Sequence, residues 1–487
     1  MKLGFDNEKY IKIQSKKIKE RFKLFDKLYL EIGGKLFDDY HAARVLPGFQ
    51  PDAKIKMFQE LKEDLEIIFC INANDIERNK TRAEFGITYD LEVLRLIDNL
   101  TKLGFSINSV VITLYQNQGG IDNFIKKLER NGIKTYIHKP TKGYPSDVDT
   151  IVSDDGYGAN PYIETTKKLV LVNAPGPASG KLATCLSQLY HEHKRGINAG
   201  YAKFETFPVW DLPLKHPVNM AYEAATADLK DVNMIDNFHL EKYNIKAVNY
   251  NRDLSVFPIL KTILTKIVKK DIYHSPTDMG VNTISKCIKN NKIVEDAAKK
   301  EIVRRYYQEL VNYKTGLVDI DIPNTIKILM NQLNIDTNIL DVVEPTLKKH
   351  KKENKPVLGL KLPNNQIITG KESELLSAPS ALIINAIKTL SKIPDNIDLL
   401  SPMILEPILK QRKEHTPLQL QEVIIALSIC SVTNPSVEEA LNYLNELKDC
   451  EAHASYIVTN GEKKALSKLG IRLTCEPKFH SDNLFQN

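Results

Sequence analysis

This sequence predicts an α/β protein built on a mostly parallel, helix-covered sheet, with a helical insertion and a smaller C-terminal α/β domain. Three observations carry that reading. Short apolar runs, such as residues 65–71 (LEIIFCI) and 109–115 (SVVITLY), read as buried strands. They alternate with amphipathic stretches of helical period, the spacing of successive βα units rather than of hairpins. A third run, residues 169–172, leads through a Pro/Gly turn into a helix opened by Lys181, the strand–turn–helix order of a phosphate cradle.

Composition bounds the rest. The 487 residues are 42% apolar and 26% charged, an ordinary globular balance long enough for two or three domains. A net charge of +6 is small for this length, so it does not imply nucleic acid, though it suits anionic small molecules. The six cysteines are scattered without a CxxC pair, which suggests neither a disulfide framework nor a zinc site and leaves any metal unknown. The first residues lack the apolar core of a secretory signal. The longest apolar run, residues 423–432, is too short to span a bilayer. A cytoplasmic protein is expected, with neither nucleic acid nor membrane as partner; a homo-oligomer stays open.

Taken in order, residues 8–24 form a basic helix and 27–32 a strand ended by Gly33-Gly34. Asp38, Asp39, His41 and Arg44 follow, a polar cluster where open α/β sheets place ligands, or a solvated loop with local caps. Residues 52–63 continue as helix and 65–71 as strand, before a loop carrying Asn72, Asn74, Asp75, Arg78 and Arg82. A helix over 89–103, a strand over 109–115, a helix closed by Asn131-Gly132 and a strand over 133–138 complete the alternation. In the polar loop 141–160, Asp147, Asp149, Asp154 and Asp155 could hold magnesium, but Asp beside Gly is more often turn chemistry.

The stretch 169–195, LVLVNAPGPASGKLATCLSQLYHEHKR, organises the chain. Leu182, Cys185, Leu186 and Leu189 make an apolar stripe for the sheet, and Thr184, Gln188, His191 and Arg195 the opposite polar one. The turn departs from GxxxxGK[ST]: Pro175 stands at the first Gly position and Leu182 where a magnesium-binding hydroxyl belongs. Thr184 lies about 200° further round the helix and cannot simply replace that hydroxyl. Pro175 and Pro177 also remove two N–H donors. The candidate binding set is Gly176, Ala178, Ser179, Gly180, Lys181 and Thr184, and the ligand a phosphorylated small molecule or nucleotide, with magnesium in doubt.

Beyond this helix, residues 207–210 followed by Asp211 faintly suggest a strand ending in a metal-binding Asp, and 244–250 read as another strand. Helices dominate from 257 onward. Between two of them lies YHSPTDMGVN, where Asp278 is a candidate substrate contact and, with Lys181, a catalytic candidate. Residues 347–356 (LKKHKKENKP) read as a linker. After it, 357–362 and 366–369 pair as a hairpin, and strands on either side of a short helix include His453 and Cys475, both read as buried structural residues. The expected domains are 1–255 with the anion site, 256–346 as a helical region and 356–487 as the C-terminal domain.

The segments SDDGYGANPYIETT, VNAPGPASGKLATCLSQLYHEHKRG, HSPTDMGVN and CEAHAS together resemble a bacterial family of uncharacterised proteins, domain of unknown function 1846. The likeness runs over about residues 1–480. It implies a large N-terminal α/β domain and a separate C-terminal one, and it transfers no catalytic residues. Some members carry the label ATP-dependent peptidase, which this sequence does not support. His191-Glu192 begins an HExxH pattern, but Arg195 stands at its second His, and no GxSxG elbow is present. Two functions remain: a phosphotransferase or NTP hydrolase using Lys181, or a non-catalytic protein that binds or senses a phosphorylated metabolite.

Overall fold

The strand Lys27–Ile32 (β1) is buried along its whole length, as befits an apolar run flanked by strands and covered by helices. The computed structural model describes residues 3–82, 86–411 and 416–481, the Arg82 side chain excepted. The sheet around β1 adds β2 (Leu65–Asn72), β3 (Ser106–Thr113), β4 (Lys134–Ile137), β5 (Leu169–Asn173), β6 (Ala199–Phe204) and β7 (Gly280–Val281). Its order is β7-β6-β1-β5-β2-β3-β4, and every neighbouring pair is parallel. The predicted parallel sheet is therefore present, with β5 as its middle strand.

The connections decide what β5 carries. From β1 to β2, β3 and β4 the chain steps one way along the sheet; from β4 to β5, β6 and β7 it steps back. Right-handed crossovers then place the two sets of helices on opposite faces. Val170 and Val172 of β5, with Ile68, Cys70 and Val111, meet Cys185, Leu186 and Leu189 of the helix Lys181–Lys194 and Phe257, Ile263 and Leu264 of the helix Asn251–Val268. Both neighbours of β5 send their chain to the other face. The end of β5 is thus the switch point of the sheet, where α/β folds leave a crevice.

The helix after β5 is buried on more sides than its sequence suggests. Thr184 and Gln188 are fully buried and His191 nearly so, which corrects the expected polar stripe. The physical reason is the segment before β5, which covers that side. Gln188 donates to Ile163 O at 2.8 Å and to the Tyr29 hydroxyl at 3.0 Å, and His191 Nε2 pairs with Asn160 O at 2.8 Å. The expected strand over 207–210 does not form either; those residues belong to no strand or helix, and Asp211 accepts from the Ser285 hydroxyl.

The chain divides into two compact units, residues 1–298 and 299–487. Residues 347–353, the first part of the expected linker, are helical: the helix Val343–Glu353 lies inside the second unit. In that unit β8 (Val357–Lys361) and β9 (Ile367–Lys371) form the predicted hairpin. β10 (Glu451–Ala454) runs antiparallel to β8, and β11 (Arg472–Cys475) parallel to β10. His453 is fully buried on β10 with Nδ1 2.9 Å from the Thr474 hydroxyl, in keeping with a structural role.

Candidate functional site

The turn after β5 is held from below by its own carbonyls. Thr113, the last residue of β3, donates to Ser179 O at 2.8 Å, and Asn72, at the end of β2, donates to Ala178 O at 3.2 Å. Ser179 closes the turn by donating from its hydroxyl to Gly176 O at 3.0 Å. A trans peptide is planar, with N–H opposite C=O. Because the Ser179 carbonyl faces Thr113, the N–H of Gly180 points away from the sheet. Two residues take the left-handed conformation this needs: Ala178 at φ 54° and Gly180 at φ 81°. Gly176 is required for another reason, since a Cβ there would stand 2.5 Å from the Tyr89 hydroxyl.

The helix Lys181–Lys194 begins with Gly180 as its N-cap, and no side chain caps it. Its first N–H groups have no intrahelical acceptor, and aligned peptide dipoles leave partial positive charge there. Lys181 adds a full charge. Its ammonium makes no hydrogen bond or ion pair with any described residue. That charge also reaches the buried thiols beneath the loop. Burial pushes Cys70 up to about 12, with a hydrogen bond to Thr184 and the Lys181 charge opposing it.

The structure thus brings Gly176, Ala178, Ser179, Gly180 and Lys181 together on one turn. It places Thr184 elsewhere: fully buried, the Thr184 hydroxyl takes a 3.4 Å hydrogen bond from Cys70 Sγ under the loop. Asp278 also stands apart. It precedes β7, three strand spacings or about 14 Å from β5. Its carboxylate accepts from His274 N–H at 2.9 Å and the Tyr243 hydroxyl at 3.0 Å, which organises its own loop.

The polar cluster after β1 resolves into structural pairs. Asp39 caps the helix Tyr40–Val45 and meets Lys54 at 2.9 Å. Burial alone would raise the Asp39 carboxyl, but the Lys54 charge and hydrogen bonds hold it below the usual range. Asp38 lies 3.4 Å from Arg95, on the helix Tyr89–Lys102. Asp147 caps the helix Val148–Ile151, the turn chemistry its spacing suggests, and Asp154 pairs with Lys194 and Tyr190. The Arg82 side chain lies outside the described residues.

Sequence reasoning missed a second cluster at the same edge of the sheet. Lys203 on β6 sits 2.8 Å from Glu205 and 2.7 Å from Asp253, which opens the helix Asn251–Val268. Gly33, at the end of β1, makes room for it, since a Cβ there would meet Glu205 Cγ at 2.2 Å. The charged pair flanking Phe204 at a strand's end was the available signal.

Comparison with known proteins gives the lineage. The model described as "Domain of unknown function DUF1846, N-terminal" matches residues 3–334, and its C-terminal counterpart matches residues 338–485. A UPF0371 protein of Clostridium tetani is 54% identical over the whole of both chains, and one of Clostridium botulinum is equally similar over the same span. Among the described residues no helix is long and apolar enough to cross a membrane.

Proposed function

We propose, from the premise that the chain belongs to the DUF1846 family of uncharacterised bacterial proteins, that the turn 174–181 binds the phosphate of a small molecule and does so without magnesium. The observation that carries this reading is the uncapped start of the helix at Lys181, at the switch point of the sheet, beside an ammonium with no protein partner among the described residues. An anion there would accept from the N–H groups of Gly180, Lys181 and Leu182 and from the Lys181 ammonium.

Leu182 decides between ligands. A P-loop Ser or Thr at this position gives magnesium an oxygen, and Leu182 has none. Pro175 and Pro177 shorten the row of donors along a triphosphate, and each charge-assisted hydrogen bond that cannot form costs about 1–3 kcal/mol. A single phosphate needs only three or four donors and loses little. A phosphorylated cytoplasmic metabolite is therefore favoured over a magnesium nucleotide. Lys181 would neutralise charge in a metal-free phosphoryl transfer; the same groups serve a protein that only senses the metabolite, and Leu182 favours that second role over an ordinary NTPase.

Thermal-shift screening of sugar phosphates, nucleoside monophosphates and triphosphates, each with and without magnesium, tests the reading. A true ligand at a hundred times its Kd stabilises by about 2.7 kcal/mol. The expected result is stabilisation by a monophosphorylated compound that magnesium does not change. Stabilisation by triphosphates alone, and only with magnesium, would replace this reading with a conventional nucleotide site.

A further inference from the structure

The net charge of +6 is small for the whole chain, but it is not spread evenly. Residues 7–26 carry seven Lys and Arg against three Asp and Glu, a net charge of +4. Most of them lie on the helix Asn7–Phe22, whose Tyr10, Ile11, Gln14, Ser15 and Ile18 are buried. That burial decides which face looks outward. Lys9, Lys12, Lys16, Lys19 and Lys23 are all exposed, at intervals of 3, 4, 3 and 4 residues. Such spacing sets them in one row along the helix, with neighbouring Cβ atoms about 5–6 Å apart and a total length of about 21 Å.

The helix gains nothing from this row. Like charges at these intervals repel and lower helix stability, where an acid at every fourth position would raise it. Lys9 stands in the first turn, at the positive end of the peptide dipoles, where a cation is disfavoured. The nearby acids do little to cancel the row. Glu20 is shared by Lys17 at 3.1 Å and Lys16 at 4.0 Å, and Asp6 is taken by Lys289 at 3.0 Å. Lys9, Lys12, Lys19 and Lys23 make no ion pair with any described residue. Arg21 is turned aside to the carbonyls of Asp278 and Gly280. Lys286 and Lys289, on the segment bonded to Gly4 and Asp6, continue the basic surface past Lys9, and the charges of Lys9 and Lys286 both bear on Cys287.

We propose that this row binds the sugar–phosphate backbone of a nucleic acid without reading its sequence. The total charge argued against such a partner; the distribution of that charge argues for it. A row one lysine wide and about 21 Å long matches a linear polyanion. A membrane presents a plane of charge and rewards an apolar helix face, and here that face is already buried in the fold. Protein partners are held through desolvated aromatic or Arg anchors, which the row lacks. A nucleic acid is bound by exposed ammoniums alone, because each phosphate they neutralise releases condensed counterions. The row is all Lys, with no Arg, Asn, Gln or aromatic side chain to read base edges or stack on bases.

Affinity should be modest and steeply dependent on salt. Four or five neutralised phosphates give a slope of about −4 for the logarithm of affinity against that of salt concentration. Lys and Gln have similar helix propensity, so Lys12→Gln, Lys16→Gln and Lys19→Gln together keep the helix and remove three charges from the row. Lys102, Lys348 and Lys410 are exposed elsewhere, each beside an acid four residues earlier. Changing those three to Gln removes the same total charge and leaves the row whole.

The experiment titrates the whole protein into fluorescent DNA duplexes of about 20 base pairs and follows their anisotropy, in potassium chloride from about 20 to about 200 mM. The expected result is that two duplexes of unrelated sequence bind equally and with the slope given above. The triple variant in the row should bind at least about tenfold more weakly at the lowest salt, with its slope brought to about −2. The other triple variant should keep the wild-type slope. No binding at the lowest salt, equal losses in the two triple variants, a slope unchanged by the row variant, or affinities about tenfold apart for the two duplexes would each overturn the proposal. So would tighter binding to phosphatidylserine vesicles or to poly-glutamate than to either duplex, which would assign the row to a membrane or to an acidic protein.

Discussion

Gly180 stands against Thr113 so closely that a Cβ on Gly180 would lie 2.7 Å from the Thr113 side chain. The same threonine holds the Ser179 carbonyl at 2.8 Å, so this approach sets the direction of the Gly180 N–H. Gly180→Ala adds a methyl where φ is 81° and no space exists. It should destabilise the protein by about 1–3 kcal/mol and weaken phosphate binding as the turn shifts. Thermal denaturation with and without inorganic phosphate checks both effects; a variant as stable and as phosphate-responsive as the wild type would show that the turn does not depend on this approach.

Lys27 and Glu192 form a buried pair at 2.8 Å, with Glu192 fully buried and the Tyr29 hydroxyl donating to it at 2.7 Å. Removing one charge strands the other in a poorly solvated site. Glu192→Gln should cost about 3 kcal/mol or more. Asp52→Asn, which breaks a half-exposed pair with Lys56, should cost well under about 1 kcal/mol. Urea midpoints of the two variants, compared at unchanged slope, decide the point.

The raised Glu205 carboxyl fixes the sign of one pH dependence. Its proton is held more tightly in the folded chain than in the unfolded one. That contribution to stability is complete below the ordinary carboxylate range and is lost as pH rises through about 7. Between pH 5 and pH 8 the wild type should therefore lose about 1–3 kcal/mol relative to Glu205→Gln. Paired denaturation curves at the two pH values measure this, and a difference of opposite sign would contradict the burial argument.

Five of the six cysteines are buried and Cys475 is partly so. Burial raises the Cys70 thiol to about 12 and those of Cys287, Cys450 and Cys475 to about 11. The thiolate is the reactive form, so the folded protein should react with a disulfide reagent at fewer than about one thiol per chain at pH 8. All six should react once it is unfolded. Rapid modification of a thiol near Lys181 would point to cysteine chemistry that this structure does not support.

The strands, the turn and the helix opened by Lys181 were legible because each rests on local pattern: period-two or continuous apolar runs, helical spacing and Gly/Pro punctuation. What sequence could not show was the burial of Thr184 and Gln188. Both are polar and on the expected outer stripe, yet Tyr29, Cys70 and Ile163 meet them from distant segments. Lys203, Glu205 and Asp253 were illegible as a group because Asp253 follows β6 by some fifty residues and only tertiary folding joins them. Asp278, conspicuous in a polar loop, is engaged by His274 and Tyr243.

The central claim is that the turn ending in Gly180-Lys181 holds a phosphate without magnesium, and calorimetric titration tests it most directly. A sugar monophosphate and ATP are titrated into the wild type and Lys181→Ala, each with magnesium and with a chelator. The expected result is binding of the monophosphate that is equal in both solutions and abolished by Lys181→Ala, with ATP no tighter in magnesium than without it. Tight ATP binding that requires magnesium would contradict it and restore a conventional nucleotide site.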